Sequence, residues 1–192
     1  PGKGKTSEAI IYIEVDHHSD EQLMADLAQE IEEVLREVQR CVRDFPEMLE
    51  KAKKTAQELR DACTVNDKEA CTEAAEFVDW MASNHFTFLA YDEFTVSDAK
   101  SGKVVDRDPT HDLGIFRNID TTRSRVQLKE LEPEIREFIT GPSLINFMKS
   151  GNRSRIHRPA YPDYVVVKRF DKHGNVIGGM RFMGLFTSIV YI

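Results

Sequence analysis

The sequence predicts an α+β fold: a helical segment joined to an antiparallel sheet that packs against helices. Three observations carry this expectation. Apolar residues recur at three- and four-residue spacing between residues 20 and 84, the period of helices that bury one face. From His85 onward the apolar runs become aromatic and β-branched, with turn signals between them. Charge changes at the same place: residues 1–84 carry net −10 and residues 85–192 net +3, in a 192-residue chain of net −7.

The elements follow in order. "PGKGKTSE" reads as a linker, and "AIIYIEVD" (Ala9–Asp16) as a strand, so residues 1–19 form a linker and an edge strand. This strand is expected to belong to a preceding domain's sheet or to add to an edge. "SDEQ" is a capping box, with Ser19 and Gln22 exchanging bonds. Leu23, Leu27, Ile31, Val34, Leu35, Val38, Val42 and Phe45 form one apolar stripe. Pro46 removes an amide donor and is expected to break or kink the helix. A second helix then continues through Met48, Leu49, Ala52, Ala56 and Leu59, with Lys51, Lys53 and Lys54 on a solvated face. "NDKE" (66–69) caps a third helix, which ends near Asn84.

In the second half, "HFTFLAYDEFTV" reads as a strand, "VVD" as the start of its return and "DLGIFR" as a short strand. "NIDTTRSR" is loop. Pro133 at the first position opens a helix that Gly141-Pro142 stops. "SLINFMK", "DYVVVKRF" and the run from Val176 are strands, the last two joined by a turn that needs positive φ at Gly174. The chain ends on apolar residues, which reads as a fragment of a longer protein.

The composition, 41% hydrophobic and 31% charged, is that of a soluble globular chain. No apolar run is long enough to span a bilayer, and no membrane partner is expected. Cys41, Cys63 and Cys71 form no CxxC pair; they read as free thiols, which points to the cytoplasm. Neither half is basic enough for a nucleic-acid binder.

Dinucleotide, phosphate-loop, nucleophile-elbow and zinc signatures are missing, so no catalytic residue and no metal ligand is assigned. His17 and His18 are adjacent and would face opposite ways on a strand; they are read as loop entry. His85 is read as a helix C-terminal histidine. One stretch stands out: Lys149 to Arg158 carries four cations and no acid. Arg153, Arg155, His157 and Arg158 are the candidate binding residues, because guanidinium groups match carboxylates and phosphates in paired geometry. In an extended chain Arg153, Arg155 and His157 would share one face and Arg158 the other. The loop is open to three readings: solvated, docked on an acidic protein partner, or holding a small anion.

The stretches "FVDWMASNHFTFLAYDEF", "DLGIF" and "SGNRSRIHRPAYPDYVVVKRFDKHGNVIGGMRFMGLFTS", with "IIYIEVD" and "VRDFPEM" more weakly, resemble the N-terminal non-catalytic region of the large bacterial NAD-dependent glutamate dehydrogenases. The chain departs from that family at Ala90, where Gly is usual; at Arg155-Ile156, where Thr-Val is frequent; and at Gly179, where an acid is common. The resemblance implies a piece of a hexameric or tetrameric cytoplasmic enzyme that oxidises L-glutamate to 2-oxoglutarate and ammonia. NAD would serve the parent enzyme, with no cofactor in this fragment. Residues 85–192 would be an ACT-like, ferredoxin-like domain, following a helical segment at 20–84. Its partners would be other domains and subunits of the enzyme, together with an amino-acid effector.

Overall fold

The computed structural model describes residues 10–16, 19–62, 68–100, 102–117 and 125–187. The expectations for His17–His18, Cys63, the Asn66–Asp67 cap, most of the loop at 118–125 and the apolar end at 188–192 fall outside the described residues. The chain divides into two units, residues 1–33 and 34–192.

In the first unit, Ile10–Asp16 carry no regular structure and are exposed, so the expected strand adds to no sheet edge among the described residues. A strand exists only where its backbone groups meet a partner, and among the described residues none pairs with this segment. The helix α1 (Glu21–Ala62) starts one residue later than the capping box implied. Asp20, not Ser19, is the cap: its carboxylate accepts from the amides of Gln22 at 3.0 Å and Leu23 at 3.1 Å.

Pro46 does not end α1, and the expected second helix is its continuation. Buried Cys41, Asp44, Met48, Ala52, Thr55, Ala56 and Leu59 keep helical spacing across the proline. Pro46 and Val42, whose carbonyl loses its donor, both lie on the exposed side. Packing of the opposite side on the sheet therefore carries the helix through a defect that solvent can serve. Within the second unit the stripe also differs from expectation: Leu35, Val38, Val42 and Phe45 are exposed. Lys51 leaves the solvated face to bind Glu93 at 3.0 Å.

The helix α2 (Lys68–Trp80) runs into a wide turn, Met81–His85. Asn84 takes φ 67° there, as its place at a helix end suggested. The Nδ1–H of His85 donates to the Trp80 carbonyl at 3.0 Å, and its ring stacks on Trp80. The strands β1 (Phe86–Ala99), β2 (Gly102–Arg107), β3 (Leu113–Gly114) and β4 (Arg125–Gln127) follow. Next come α3 (Pro133–Thr140), β5 (Ile145–Lys149), β6 (Asp163–Phe170) and β7 (Val176–Phe186). All pairings are antiparallel, in the order β4-β2-β1-β7-β6-β5, with β3 beside β1. The α+β expectation holds. A ferredoxin-like βαββαβ chain has a helix between its last two strands, whereas the turn at 171–175 joins β6 directly to β7. Asp171 braces that turn by accepting from the amides of His173 and Asn175, and Gly174 has φ 80°.

A bulge in β1 organises the core. Its register against β7 slips between Phe88 and Ala90. A slip of one residue reverses which residues face which side. Phe88 and Tyr91 thus both join the core under α1 and α2, with Met48, Val78, Val165 and Phe182. Leu89 and Ala90 join a second cluster with Cys41, Phe116, Ile156 and Met183. The bulged Leu89 carbonyl accepts from the Ile115 amide at 3.0 Å and the Cys41 thiol at 3.0 Å. Burial pushes the Cys41 thiol up to about 11. Gly114 crosses this point at φ 63°, where a Cβ would lie 2.1 Å from the Leu89 oxygen.

Asp44 fixes α1 to the same place. It accepts from the Gly114 amide at 2.9 Å, Arg117 at 2.8 Å and Arg43 at 2.9 Å. Burial opposes its charge, but these bonds outweigh it and hold the carboxyl at about 2. Glu93 is likewise held at about 2: burial again opposes, and Tyr91, Lys51 and Arg169 prevail. A carboxyl with a depressed native pKa stabilises the fold above its ordinary pKa, and loses that contribution as pH falls through the native one.

Three outcomes are expected. Pro46→Ala restores a helix bond and raises stability by about 1–3 kcal/mol, read from the urea midpoint. The wild-type chain loses stability between about pH 4.5 and pH 2. Asp44→Ala costs about 2–4 kcal/mol at neutral pH and flattens that loss.

Candidate functional site

The basic loop lies between β5 and β6, and its backbone is tied to itself. The Ser150 amide donates to Pro162 at 2.8 Å and the Ser154 amide to Ala160 at 2.9 Å. Lys149 pairs with Asp163 at 2.6 Å across the strand ends. The Ser154 hydroxyl donates to the Ile156 carbonyl at 2.8 Å. Ile156 is the anchor, buried in the second cluster. His157 turns the chain at φ 65°.

That turn corrects the expected alternation, because the segment is bent rather than extended. The four candidate residues go to four places. Arg155 reaches Glu37 on α1, and that carboxylate supplies an anionic partner from this chain's own helix. His157 Nε2 lies 3.1 Å from the Thr87 hydroxyl. Arg158 donates to the Phe186 carbonyl at 2.8 Å. Arg153 stacks over Tyr161, 5.4 Å from its centroid. Arg155, His157 and Arg158 thus clamp the loop to α1, β1 and β7.

Sequence reading missed a buried charge cluster on the sheet. Asp92 and Arg181 are direct cross-strand partners on β1 and β7, with Arg181 Nε 3.0 Å from Asp92. Arg107 Nε lies 2.9 Å from Asp92 and also binds Asp112. Phe116 lies beneath both guanidinium groups, 5.0 Å from Arg181 and 5.6 Å from Arg107. The two acids are almost fully buried. Burial raises the Asp112 carboxyl despite Arg107 beside it. Burial also opposes the Arg181 charge, and Asp92 more than restores it. The available signal was a charge inside each apolar run, in "LAYDEF" and "GMRFM"; a charge inside a buried strand needs a buried partner.

A second network joins α1 to the sheet. Arg169 holds Glu58 at 3.0 Å and Glu93 at 3.0 Å, and Glu93 accepts from Tyr91 at 2.7 Å. Beside it runs a groove of about 1290 Å³ between the ends of α1 and α2 and strands β5–β7. Its walls include Leu59, Phe77, Ile145, Phe147, Val167 and Met180, and its charged residues are Glu58, Asp61, Glu73 and Asp171 together with Lys168, Arg169 and Lys172. Lys168 is buried, which lowers its pKa, and its amine donates to Gly141 at 2.6 Å. Gly179, where the resembling family carries an acid, has no room here: a Cβ would lie 2.8 Å from the Phe94 ring.

Chemically, the arrangement binds and braces. Each guanidinium of the two networks meets a carboxylate within the chain. Among the described residues no group of three or more His, Cys, Asp or Glu could hold a metal ion, and no helix is long and apolar enough to cross a membrane.

The comparisons with known proteins bear out the resemblance. The chain is 39% identical over 186 residues to an NAD-specific glutamate dehydrogenase of Halomonas elongata, and 38% identical over 190 residues to that of Pseudomonas aeruginosa. These matches cover 96% and 99% of the chain but 12% of each enzyme, so the chain spans about an eighth of the length of the relatives it matches. No family model matches.

Asp92→Ala leaves Arg181 and Arg107 short of a buried partner and should cost about 3 kcal/mol or more. Breaking Arg155–Glu37 in a double-mutant cycle should show a coupling below about 1 kcal/mol, since that pair is partly exposed. Chemical denaturation of the four variants checks both.

Proposed function

We propose that this chain is a non-catalytic regulatory and assembly segment of a large cytoplasmic NAD-dependent glutamate dehydrogenase. The parent reaction would convert L-glutamate, NAD and water to 2-oxoglutarate, ammonia and NADH, on a catalytic region elsewhere in the enzyme. One observation carries the reading. Among the described residues, the charges of the two networks are paired with one another and Arg158 clamps backbone, so they do not converge on a place where a substrate could react. The ACT-like assignment rests on the sequence resemblance alone, and the direct β6–β7 turn departs from the ferredoxin-like order. Assembly with other subunits fits the exposed apolar residues of α1.

A second reading, an amino-acid-binding sensor, is favoured by the groove rather than by the basic loop. Its apolar walls would take a side chain and its acidic residues an ammonium group.

The full-length enzyme carrying Phe147→Asp in the groove should keep its turnover at saturating glutamate and NAD, while its subunit assembly or response to added amino acids changes. Oxidation of glutamate by the 192-residue chain alone would sink the proposal. Calorimetry of the chain with millimolar amino acids separates the readings: heat that Phe147→Asp abolishes supports the sensor, and no heat with no thermal shift removes it.

A further inference from the structure

Residues 10–33 bury almost nothing. Every described residue from Ile10 to Glu32 is exposed, yet the segment is not polar. Ile10, Ile11, Tyr12, Ile13 and Val15 are all at least half exposed, Ile10 at 99%. Leu23, Met24, Leu27 and Ile31 follow on the first turns of α1, each more than a third exposed. The two patterns differ in period. In an extended chain, Ile11, Ile13 and Val15 form one unbroken apolar face, while Ile10 and Tyr12 open the other face and acidic Glu14 and Asp16 close it. The helix shows a stripe at three- and four-residue spacing. Residues 17–20 join the two, a length usual between a strand and the helix that packs on its sheet.

Strand and helix each need a second layer to bury their apolar side. We infer that residues 10–33 are a strand–helix pair that completes a separate sheet layer, contributed by the remainder of the enzyme. Ile10–Asp16 add as a strand to an open sheet edge, and Leu23, Met24, Leu27 and Ile31 cover that sheet's face. The occupant is thus a β-sheet edge with an apolar face. The chain spans 12% of its relatives' length, so such a partner would be covalently attached and present at high effective concentration. A lipid surface fits poorly. Residues 20–33 carry six acids and no Lys or Arg, the reverse of a helix that lies on an anionic membrane. This inference rests on the proposal that the chain is part of the larger enzyme, but not on its regulatory role.

Hydrogen exchange read by mass spectrometry tests it without reference to activity. In the full-length enzyme, amides of residues 11–15 should exchange at least ~100-fold more slowly than in the 192-residue chain alone. Ile13→Asp in the full-length enzyme should abolish the protection, and Glu14→Lys should leave it. Equally fast exchange in enzyme and chain overturns the inference. So does protection that grows with concentration in the chain alone, since the partner would then be a second copy. Equal loss with Glu14→Lys and Ile13→Asp refutes the assigned face. If Ile13→Asp does not assemble, the enzyme-against-chain comparison and Glu14→Lys still decide. Protection without any effector response would keep this inference and remove the regulatory one.

Discussion

The bulge at Leu89 is the constraint on which the second unit depends. One extra residue in β1 lets Phe88 and Tyr91 enter the same core, and turns Leu89 and Ala90 to the other. It also leaves a carbonyl outside the ladder with β7, and a buried carbonyl must be served. The Ile115 amide and the Cys41 thiol serve it, and Gly114 is the only kind of residue that can pass so close. Asp44 then closes the assembly by binding the Gly114 amide and Arg117. Helix, bulge and the short strand β3 thus determine one another's positions through a few directional bonds. Hydrophobic burial drives the collapse, but it is non-directional and would not select this arrangement alone.

The charge asymmetry of the sequence acquires a physical role inside this unit. Acids on α1 meet arginines supplied by later parts of the chain: Glu37 with Arg155, Asp44 with Arg117 and Glu58 with Arg169. A net-acidic stretch and a more basic one are the two sides of one internal contact. The basic loop, conspicuous because it holds no acid of its own, finds one of its counter-charges on α1. Its most consequential residue is apolar: Ile156 is buried in the second cluster, and Arg155, His157 and Arg158 hold the bend around it.

Much of the second unit was legible in the sequence because its signals are local. Pro133 opening α3, Gly174 at the β6–β7 turn, Asn84 at positive φ and the apolar run of Asp163–Phe170 each declare themselves within a few residues. What was not legible depends on contacts distant in sequence. Pro46 reads as a break because the sequence shows the lost hydrogen bond and not the sheet that holds the helix on its other side. The alternation assumed for Arg153–His157 failed because the chain bends through residues 155–160, with His157 at positive φ, which no local residue preference required. The Asp92–Arg181 pair could be suspected from a charge inside each apolar run, but matching the two required the register of strands 89 residues apart.

The same logic explains why Ile10–Asp16 has strand composition without strand structure. Composition reports what a segment does when its partners are present, and pairing decides whether they are. Within residues 34–192 the apolar strands have neighbours and bury their faces. Residues 10–33 are no less apolar and bury almost none of that surface. Nine large exposed apolar side chains in 24 residues exceed what isolated surface residues would present. At roughly 25 cal/mol per Å² of apolar surface, their burial would be among the larger free-energy terms available to this chain. That burial is what the inferred strand–helix pair would supply, since the described residues of this chain leave the surface exposed.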